Sequence, residues 1–236
     1  MPRWSDNLAL IGLRSLLFHL ASAAVTLIFL LLYPLILLPR RWVWAILRRY
    51  IVIQLWLLRV ICGLGYRFEG RRHVPAGPCI LASRHEAMWE TLFLPLVFDN
   101  PAVILKSEIL RYPIAGPVAR KLGYIGVDRS GSADRAKAAF DTARGIARTG
   151  RSLLIFPSGT RDPAHRHRVQ GGVSVLYRML NVPCVPVVLD SGSYWLHRRW
   201  LRRPGVITVR VLPPIPTGLR TAEFQARLEA DLARPA

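Results

Sequence analysis

The sequence predicts an α/β fold, with a mixed, largely parallel sheet flanked by helices and preceded by N-terminal membrane helices. Beyond residue 65, short apolar runs typical of strands alternate with helical stretches, which is the pattern of a parallel sheet covered by helices. Before that point, long apolar stretches dominate the chain. With 236 residues, 52% hydrophobic content and a net charge of +19, the chain has room for one sizeable domain and is too apolar and basic for an ordinary cytosolic enzyme.

The first apolar segment, residues 16–38, reads LLFHLASAAVTLIFLLLYPLILL. A spanning helix needs about 20 such residues, so this segment is predicted to enter or cross a bilayer. The ASA at residues 21–23 has the small-x-small form of a signal-peptide cleavage site, but the apolar run continues well past it, which favours a retained segment. A single spanning helix and a monotopic two-helix hairpin both satisfy the pattern.

The second segment, residues 40–65, alternates arginines with Trp, Ile, Leu and Val. Arginines beside tryptophans suit a membrane interface, and the alternative is a buried helix of the globular domain whose arginines extend to solvent. Because these arginines outweigh Arg3 and Arg14, the rest of the chain is predicted to face the cytosol from the cytoplasmic (inner) membrane. We therefore expect membrane-anchoring helices over 1–65 and a globular domain over 66–236.

The globular domain contains short apolar runs that predict strands. They are PCILAS (78–83), AVILK (102–106), YIGVD (124–128), SLLIF (152–156), VPVVL (185–189) and VITVRV (206–211). Helices are predicted between and after them, over 87–98, 132–149, 173–180 and 221–233. In such a fold the active residues lie in loops beyond the carboxyl ends of the strands.

Composition and spacing argue against several other classes of protein. The three cysteines, Cys62, Cys79 and Cys184, lack the spacing of a disulfide framework or a zinc site, so we expect reduced residues packed among apolar neighbours. The basic residues are dispersed through membrane-like segments without a nucleic-acid-binding motif. Nucleic acid is therefore not an expected partner.

The stretch SRHEAMWETL, residues 83–92, places His85 between a predicted strand and a predicted helix. It is similar to the zinc-binding signature H-E-x-x-H, but Trp89 stands where the second His is required, so no metal is expected. If His85 lies just ahead of the first helical turn, Glu90 can bind one imidazole nitrogen and leave the other as a base for a hydroxyl. The alternative is a histidine that caps the helix beside a solvated Glu90. Glu86 is expected to be a charge in the first helical turn.

Other predicted strands also end in loops that suit chemistry. The stretch 121–130 carries Asp128 and Arg129, the stretch 155–163 carries Gly159, Thr160 and Arg161, and the stretch 182–192 reads VPCVPVVLDSG. Together they predict a basic pocket beside His85, because a guanidinium group suits bidentate phosphate binding. A serine-hydrolase elbow, G-x-S-x-G, centred on Ser158 is disfavoured because Phe156 occupies the first glycine position.

In this order and spacing, these stretches resemble the four motif blocks of the glycerolipid acyltransferase superfamily, in particular its bacterial 1-acylglycerol-3-phosphate acyltransferases. Residues 85–90 match the H-x4-D block, 123–129 match G-x-I-x-V-D-R, 156–161 match F-P-E-G-T-R, and 185–192 match the proline-containing fourth block. The KSEIL stretch at 106–110 is similar to the K-x-E-L stretch of many members. The resemblance covers roughly residues 66–220.

The resemblance implies acyl transfer from an acyl thioester, on acyl carrier protein or coenzyme A, to the free hydroxyl of a lysophospholipid. The product is phosphatidic acid in the commonest case. The resemblance implies no covalent enzyme intermediate, no metal and no other cofactor. His85 would be the general base and Glu90 its orienting acid. The implied substrate-binding residues are Arg129 and Arg161 as phosphate clamps, Lys106 beside them, and Ser158, Gly159 and Thr160 in the loop near the glycerol.

Three positions depart from the family pattern. Glu90 replaces an Asp, Ser158 replaces the Glu of F-P-E-G-T-R, and Gln170 replaces a basic residue often found before the later glycine. The change at Ser158 removes a carboxylate from the acceptor site. It leaves two alternatives open: an acceptor such as another lysophospholipid or a lyso-ornithine lipid, or a weakly active protein with a noncatalytic role in the membrane.

Overall fold

A seven-stranded sheet forms the centre of the molecule in the computed structural model, which describes residues 7–128, 133–165, 167–195 and 200–236. The strands are β1 (Leu64–Glu69), β2 (Ile80–Ser83), β3 (Ala102–Lys106), β4 (Ile125–Val127), β5 (Leu153–Ile155), β6 (Cys184–Leu189) and β7 (Gly205–Val211). Their order across the sheet is β1-β7-β6-β2-β5-β3-β4. All pairs are parallel except β6 with β7, which confirms the predicted mixed, largely parallel sheet.

The parallel register brings the loops after β6, β2, β5, β3 and β4 to one edge of the sheet. Ile80 of β2 and Ala102 of β3 both lie opposite Leu153 of β5, so the three strands begin at the same level. On the other side of β2, Ser83 lies opposite Val187 of β6. Because neighbouring strands stand about 4.8 Å apart, side chains from the loops at this edge can meet.

Helices cover both faces of the sheet. They are α1 (Leu8–Leu31), α2 (Arg40–Cys62), α3 (Trp89–Val97), α4 (Ala115–Lys121), α5 (Ala133–Arg148), α6 (Gly171–Leu180) and α7 (Thr221–Ala233). Consecutive strand residues point to opposite faces, so Leu81 joins a core with residues of α2 and α3, and Ile80 joins a second core with residues of α5, α6 and α7. The site edge is thereby held between two packed layers.

Helix α2 is both a core helix and a surface helix. Ile51, Leu55 and Leu58 belong to the same buried cluster as Phe93 of α3. Arg48, Arg49 and Arg59 lie on its exposed side. The segment predicted as a membrane interface therefore also forms a layer of the globular domain, and β1 joins the sheet directly after it.

Helix α1 begins at Leu8, earlier than the predicted apolar segment 16–38. Asn7 is the reason, because its Oδ1 accepts hydrogen bonds from the N–H groups of Ala9 and Leu10 at 3.0 and 3.2 Å. The helix ends at Leu31, and a 3-10 turn over Tyr33–Leu37 follows. Within the described ranges, α1 is the one helix that is long and apolar enough to cross a membrane, by length and composition.

The predicted strands and the predicted helices of the globular domain are confirmed, with bounds that differ by a few residues. Strand β1 and helix α4 were not predicted from the sequence. The β1 sequence, LGYRFE, has no apolar run, and the strand is held by its parallel pairing with β7. The α4 sequence, AGPVARK, contains a glycine and a proline near its start, both poor helix formers. A Cβ at Gly116 would lie 2.2 Å from the carbonyl oxygen of Leu110, so close packing requires this glycine.

Candidate active site

His85 lies in the turn between β2 and α3, at the carboxyl edge of the sheet. Its Nδ1 is 3.0 Å from Oε1 of Glu90, the second residue of α3, and the side chain of His85 is 14% exposed. Because a carboxylate accepts hydrogen bonds, Nδ1 carries the proton and Nε2 is the basic nitrogen of the ring. The imidazole is thus fixed at one nitrogen and reachable from solvent.

The carboxylate of Glu90 is fully buried and is held by four hydrogen-bond donors. Besides His85, its Oε1 accepts from the backbone N–H groups of Glu86 and Ala87, each at 2.7 Å. Its Oε2 accepts from the hydroxyl of Ser191 at 2.7 Å. A buried charge is tolerated only when it is well hydrogen-bonded, and these donors meet that condition at the N-terminal end of α3. The alternative in which Glu90 is solvated is therefore wrong.

Phe156 supports the ring of His85 from the neighbouring strand end. The two ring centroids are 4.2 Å apart, and the ring planes are inclined by 26°, which is a stacked arrangement. Phe156 directly follows β5 and is the first residue of the block matched to F-P-E-G-T-R. Two of the motif blocks therefore meet at the imidazole.

Arg161 lies beside the His85 turn. Its Nε donates to the carbonyl oxygen of Ala87 at 3.0 Å, and its Nη2 lies 3.8 Å from Sδ of Met88. Burial lowers the pKa of Arg161, and the negative charge of Glu90 opposes that shift. The guanidinium group is a positioned cation close to the His85–Glu90 pair.

The loop 156–160 is a tight turn that depends on Gly159. Gly159 has φ of +61°, a conformation that favours glycine, and its N–H donates to the carbonyl oxygen of Phe156 at 3.0 Å. Ser158 is only 3% exposed, and its hydroxyl donates to the carbonyl oxygen of Thr160 at 2.9 Å. Thr160 in turn accepts the N–H of Asp162 with its own hydroxyl at 3.2 Å. The Ser158 hydroxyl thus points into its own loop.

The remaining predicted substrate-binding residues come from β3 and β4. Lys106 is the exposed last residue of β3, separated from β2 by β5, and lies opposite Val127 of β4. Arg129 lies outside the described residues. The structure therefore brings His85, Glu90 and Arg161 together, and places Lys106 further along the same edge.

The contacts of Glu86, Ser191 and Gly192 at the site were not predicted from the sequence. Glu86 does not lie in the helix as expected. It precedes α3, is buried, and its Oε2 accepts the N–H of Gly192 at 3.1 Å. Ser191 and Gly192 follow Asp190 in the fourth motif block, and only their position after a buried strand could have drawn attention to them.

The three cysteines lie in the buried core of the molecule. All three cysteines are free and buried, as predicted, and burial raises the pKa of the Cys79 and Cys184 thiols. Among the residues that the structure describes, no group of three or more His, Cys, Asp or Glu side chains is arranged to hold a metal ion.

Comparison with known proteins identifies the family. The family model described as Acyltransferase matches residues 65–190. A 1-acyl-sn-glycerol-3-phosphate acyltransferase of Pseudomonas aeruginosa is 33% identical over 181 residues, which are 75% of this chain and 70% of that protein. The human 1-acyl-sn-glycerol-3-phosphate acyltransferase beta is 30% identical over 172 residues, 70% of this chain and 62% of that protein.

The fold is also that of a solved acyltransferase. The crystal structure of the 1-acyl-sn-glycerophosphate (LPA) acyltransferase PlsC from Thermotoga maritima superposes with a TM-score of 0.69, at 18% sequence identity, and the match covers 94% of each chain. At this identity the comparison supports the fold, whereas the family model and the relatives support the family. The chain therefore belongs to the acyltransferase family and is an O-acyltransferase related to the 1-acyl-sn-glycerol-3-phosphate acyltransferases.

Proposed function

We propose that this protein transfers a fatty acyl group from an acyl thioester to the free hydroxyl of 1-acylglycerol 3-phosphate, giving phosphatidic acid. The observation that carries the proposal is the contact of 3.0 Å between Nδ1 of His85 and Oε1 of the buried Glu90, at the sheet edge where parallel α/β proteins bind ligands. The related 1-acyl-sn-glycerol-3-phosphate acyltransferases of Pseudomonas aeruginosa and human agree with this acceptor.

In the proposed reaction His85 is the general base. Its Nε2 takes the proton of the acceptor hydroxyl while the hydroxyl oxygen attacks the thioester carbonyl carbon. The tetrahedral intermediate collapses to the new ester, the carbon–sulfur bond breaks, and the imidazolium returns its proton to the leaving thiolate. Glu90 keeps the proton on Nδ1 and stabilises the imidazolium. The scheme uses neither a covalent enzyme intermediate nor a metal, and base catalysis of this kind contributes about 10²- to 10⁴-fold in rate.

The phosphate of the acceptor is assigned to the basic residues of the same edge. Arg161 is fixed beside the His85 turn by its hydrogen bond to Ala87 and is the best-placed clamp. Arg129 and Lys106 complete the proposed set. The tight turn at Gly159 and Thr160 lines the part of the site that would bind the glycerol. Guanidinium groups suit this task because they bind phosphate oxygens in pairs.

The proposed acceptor and product keep their acyl chains in the bilayer, which gives the apolar N-terminal helix a purpose. Helix α1 carries exposed leucines along most of its length, including Leu13, Leu20 and Leu27. We place the protein at the cytoplasmic membrane with the sheet domain on the cytosolic side. The net charge of +19 favours anionic lipid surfaces, and it also favours acyl carrier protein or acyl-coenzyme A as the donor, since both are acidic.

The test is a donor-by-acceptor assay with the purified protein. Labelled acyl-coenzyme A and labelled acyl carrier protein are each offered with lysophosphatidic acid and with other lyso-lipids, including a lyso-ornithine lipid. The acceptor panel matters because Ser158 replaces the glutamate of the family pattern. We expect label in phosphatidic acid and a loss of about 10²-fold or more in His85→Ala.

His165→Ala is a matched control for this assay. Nδ1 of His165 also lies 3.0 Å from a carboxylate, that of Asp162, but this pair is exposed. We expect the activity of His165→Ala to stay within about twofold of the wild type, since an exposed ion pair contributes little to stability. Equal label transfer by the wild type and His85→Ala, or none by the wild type, would overturn the proposed function. If the wild type acylates only a different lyso-lipid, the proposed acceptor is wrong and the proposed acyl-transfer reaction stands.

A further inference from the structure

We propose that the Ser191–Gly192 turn after β6 is the positioning element of the His85–Glu90 pair, and that it acts by binding Glu86 of the His85 turn and Glu90 of α3. The inference rests on the proposed catalytic roles of His85 and Glu90. The turn begins at Ser191, 101 positions after Glu90 in the chain.

The first contact fixes the carboxylate of Glu90. The Ser191 hydroxyl donates to Oε2 of Glu90 at 2.7 Å, and both residues are fully buried. Hydrogen bonds to a charged acceptor are among the strongest in proteins, and the exclusion of water strengthens them further. Oε1 is held by His85 and by two backbone N–H groups, so the serine anchors the other oxygen. With both oxygens bound, the carboxylate plane cannot rotate away from Nδ1 of His85.

The second contact fixes the turn that carries His85. The N–H of Gly192 donates to Oε2 of Glu86 at 3.1 Å. A Cβ at Gly192 would lie 3.1 Å from both Cβ and Oε2 of Glu86, so a side chain there would displace Glu86 by a few tenths of an ångström. The backbone N–H of Arg84 also donates to the carbonyl oxygen of Val187 at 3.0 Å, which continues the β2–β6 pairing up to the residue before His85.

The Ser191–Gly192 turn is itself firmly held. The carbonyl oxygen of Ser191 accepts the N–H groups of Tyr194 and Trp195 at 3.2 and 2.8 Å. Oδ1 of the preceding Asp190 accepts the N–H of Thr208 in β7 at 2.8 Å. The turn that carries the Ser191 hydroxyl is therefore held in place by two neighbouring strands, β6 and β7. Such a pre-organised donor can hold a catalytic pair in one geometry.

The matched variants are Ser191→Ala, Ser191→Thr and Ser193→Ala. Ser193 lies in the same turn but is exposed, so its loss controls for any effect of altering the turn sequence. We expect Ser191→Ala to lower kcat about tenfold with KM for the acceptor within about twofold, because the hydroxyl orients the base without touching substrate. Ser191→Thr keeps the hydroxyl and should recover most of the activity. Ser193→Ala should match the wild type.

A double-mutant cycle asks whether the serine acts through Glu90. In the Glu90→Gln background, Ser191→Ala should cost less than about twofold, since the charged acceptor is already absent. An equal loss in both backgrounds would show that Ser191 acts by another route and would overturn the inference.

The outcomes separate this inference from the proposed function. If the wild type is active and His85→Ala is not, but Ser191→Ala equals the wild type, the inference is wrong and the proposed function stands. If the wild type transfers no acyl group or His85→Ala is equally active, the proposed function fails and the inference falls with it. Circular dichroism checks folding. Should Ser191→Ala not fold, Gly192→Ala is the variant that tests the inference. We expect it to lower kcat about tenfold by displacing Glu86. A kcat equal to that of the wild type would contradict the inference.

Discussion

The imidazole of His85 lies on the ring of Phe156, with 4.2 Å between ring centroids, while its Nδ1 is bound to Glu90 at 3.0 Å. The hydrogen bond fixes one edge of the ring, and the stack fixes its plane. A histidine with only one of these constraints could still turn about the other axis. The two together leave a single orientation for the basic nitrogen, which is what a general base requires.

Phe156 should therefore matter for rate more than for binding. We expect Phe156→Leu to lower kcat about threefold to tenfold, since an aromatic pair contributes about 0.5–1.5 kcal/mol beyond area burial. Phe156→Tyr keeps the ring and should stay near the wild type. Steady-state kinetics of acyl transfer measure both. Phe140→Leu, on the opposite face of the sheet, is the control for general loss of packing. An unchanged kcat in Phe156→Leu would show that the stack has no role in catalysis.

Glu86 and Glu90 should differ in their importance for activity. The carboxylate of Glu90 has two oxygens that accept from four donors, and Glu90→Gln leaves only one acceptor oxygen. We therefore expect kcat/KM to fall on the order of 100-fold or more. Glu86→Gln keeps an oxygen for the Gly192 N–H and should cost less than about tenfold. The measurement is kcat/KM of the two variants side by side. A larger loss in Glu86→Gln would show that Glu86, and not Glu90, orients His85.

Arg161 should bind the acceptor phosphate. Arg161→Lys keeps the positive charge but loses the planar fork, so we expect KM for the acceptor to rise about tenfold with a smaller change in kcat. Arg168→Lys makes the same exchange at an exposed position of the following loop and should leave KM unchanged. Initial rates over a range of acceptor concentrations give the comparison. If KM stays constant in Arg161→Lys, another cation holds the phosphate.

Ser158 should affect stability before it affects substrate binding. Its hydroxyl is buried and bonded to Thr160 within the loop, so Ser158→Ala should lower the free energy of unfolding by about 1 kcal/mol. KM for the acceptor should change less than about twofold. Denaturant unfolding and steady-state kinetics test the two parts separately. A large rise in KM with unchanged stability would instead place the hydroxyl against the substrate.

The sequence by itself determined much of the architecture. Alternation of apolar runs with helical stretches predicted the parallel part of the sheet, because residues buried on both faces of a strand must be apolar whatever the rest of the fold. The position of His85 between a strand and a helix predicted that it could meet Glu90, since the two are close in the chain and local geometry decides their contact.

Only the tertiary structure decided what holds that pair in place. Ser191, Gly192 and Phe156 reach the His85 turn from other strands, and their contacts depend on the order β6-β2-β5, which no local pattern encodes. Likewise, β1 became a strand through pairing with β7, far along the chain. Local preferences determine elements, but contacts between distant residues arise from the packing of the whole chain, and it is these contacts that turn a histidine near a glutamate into a fixed pair.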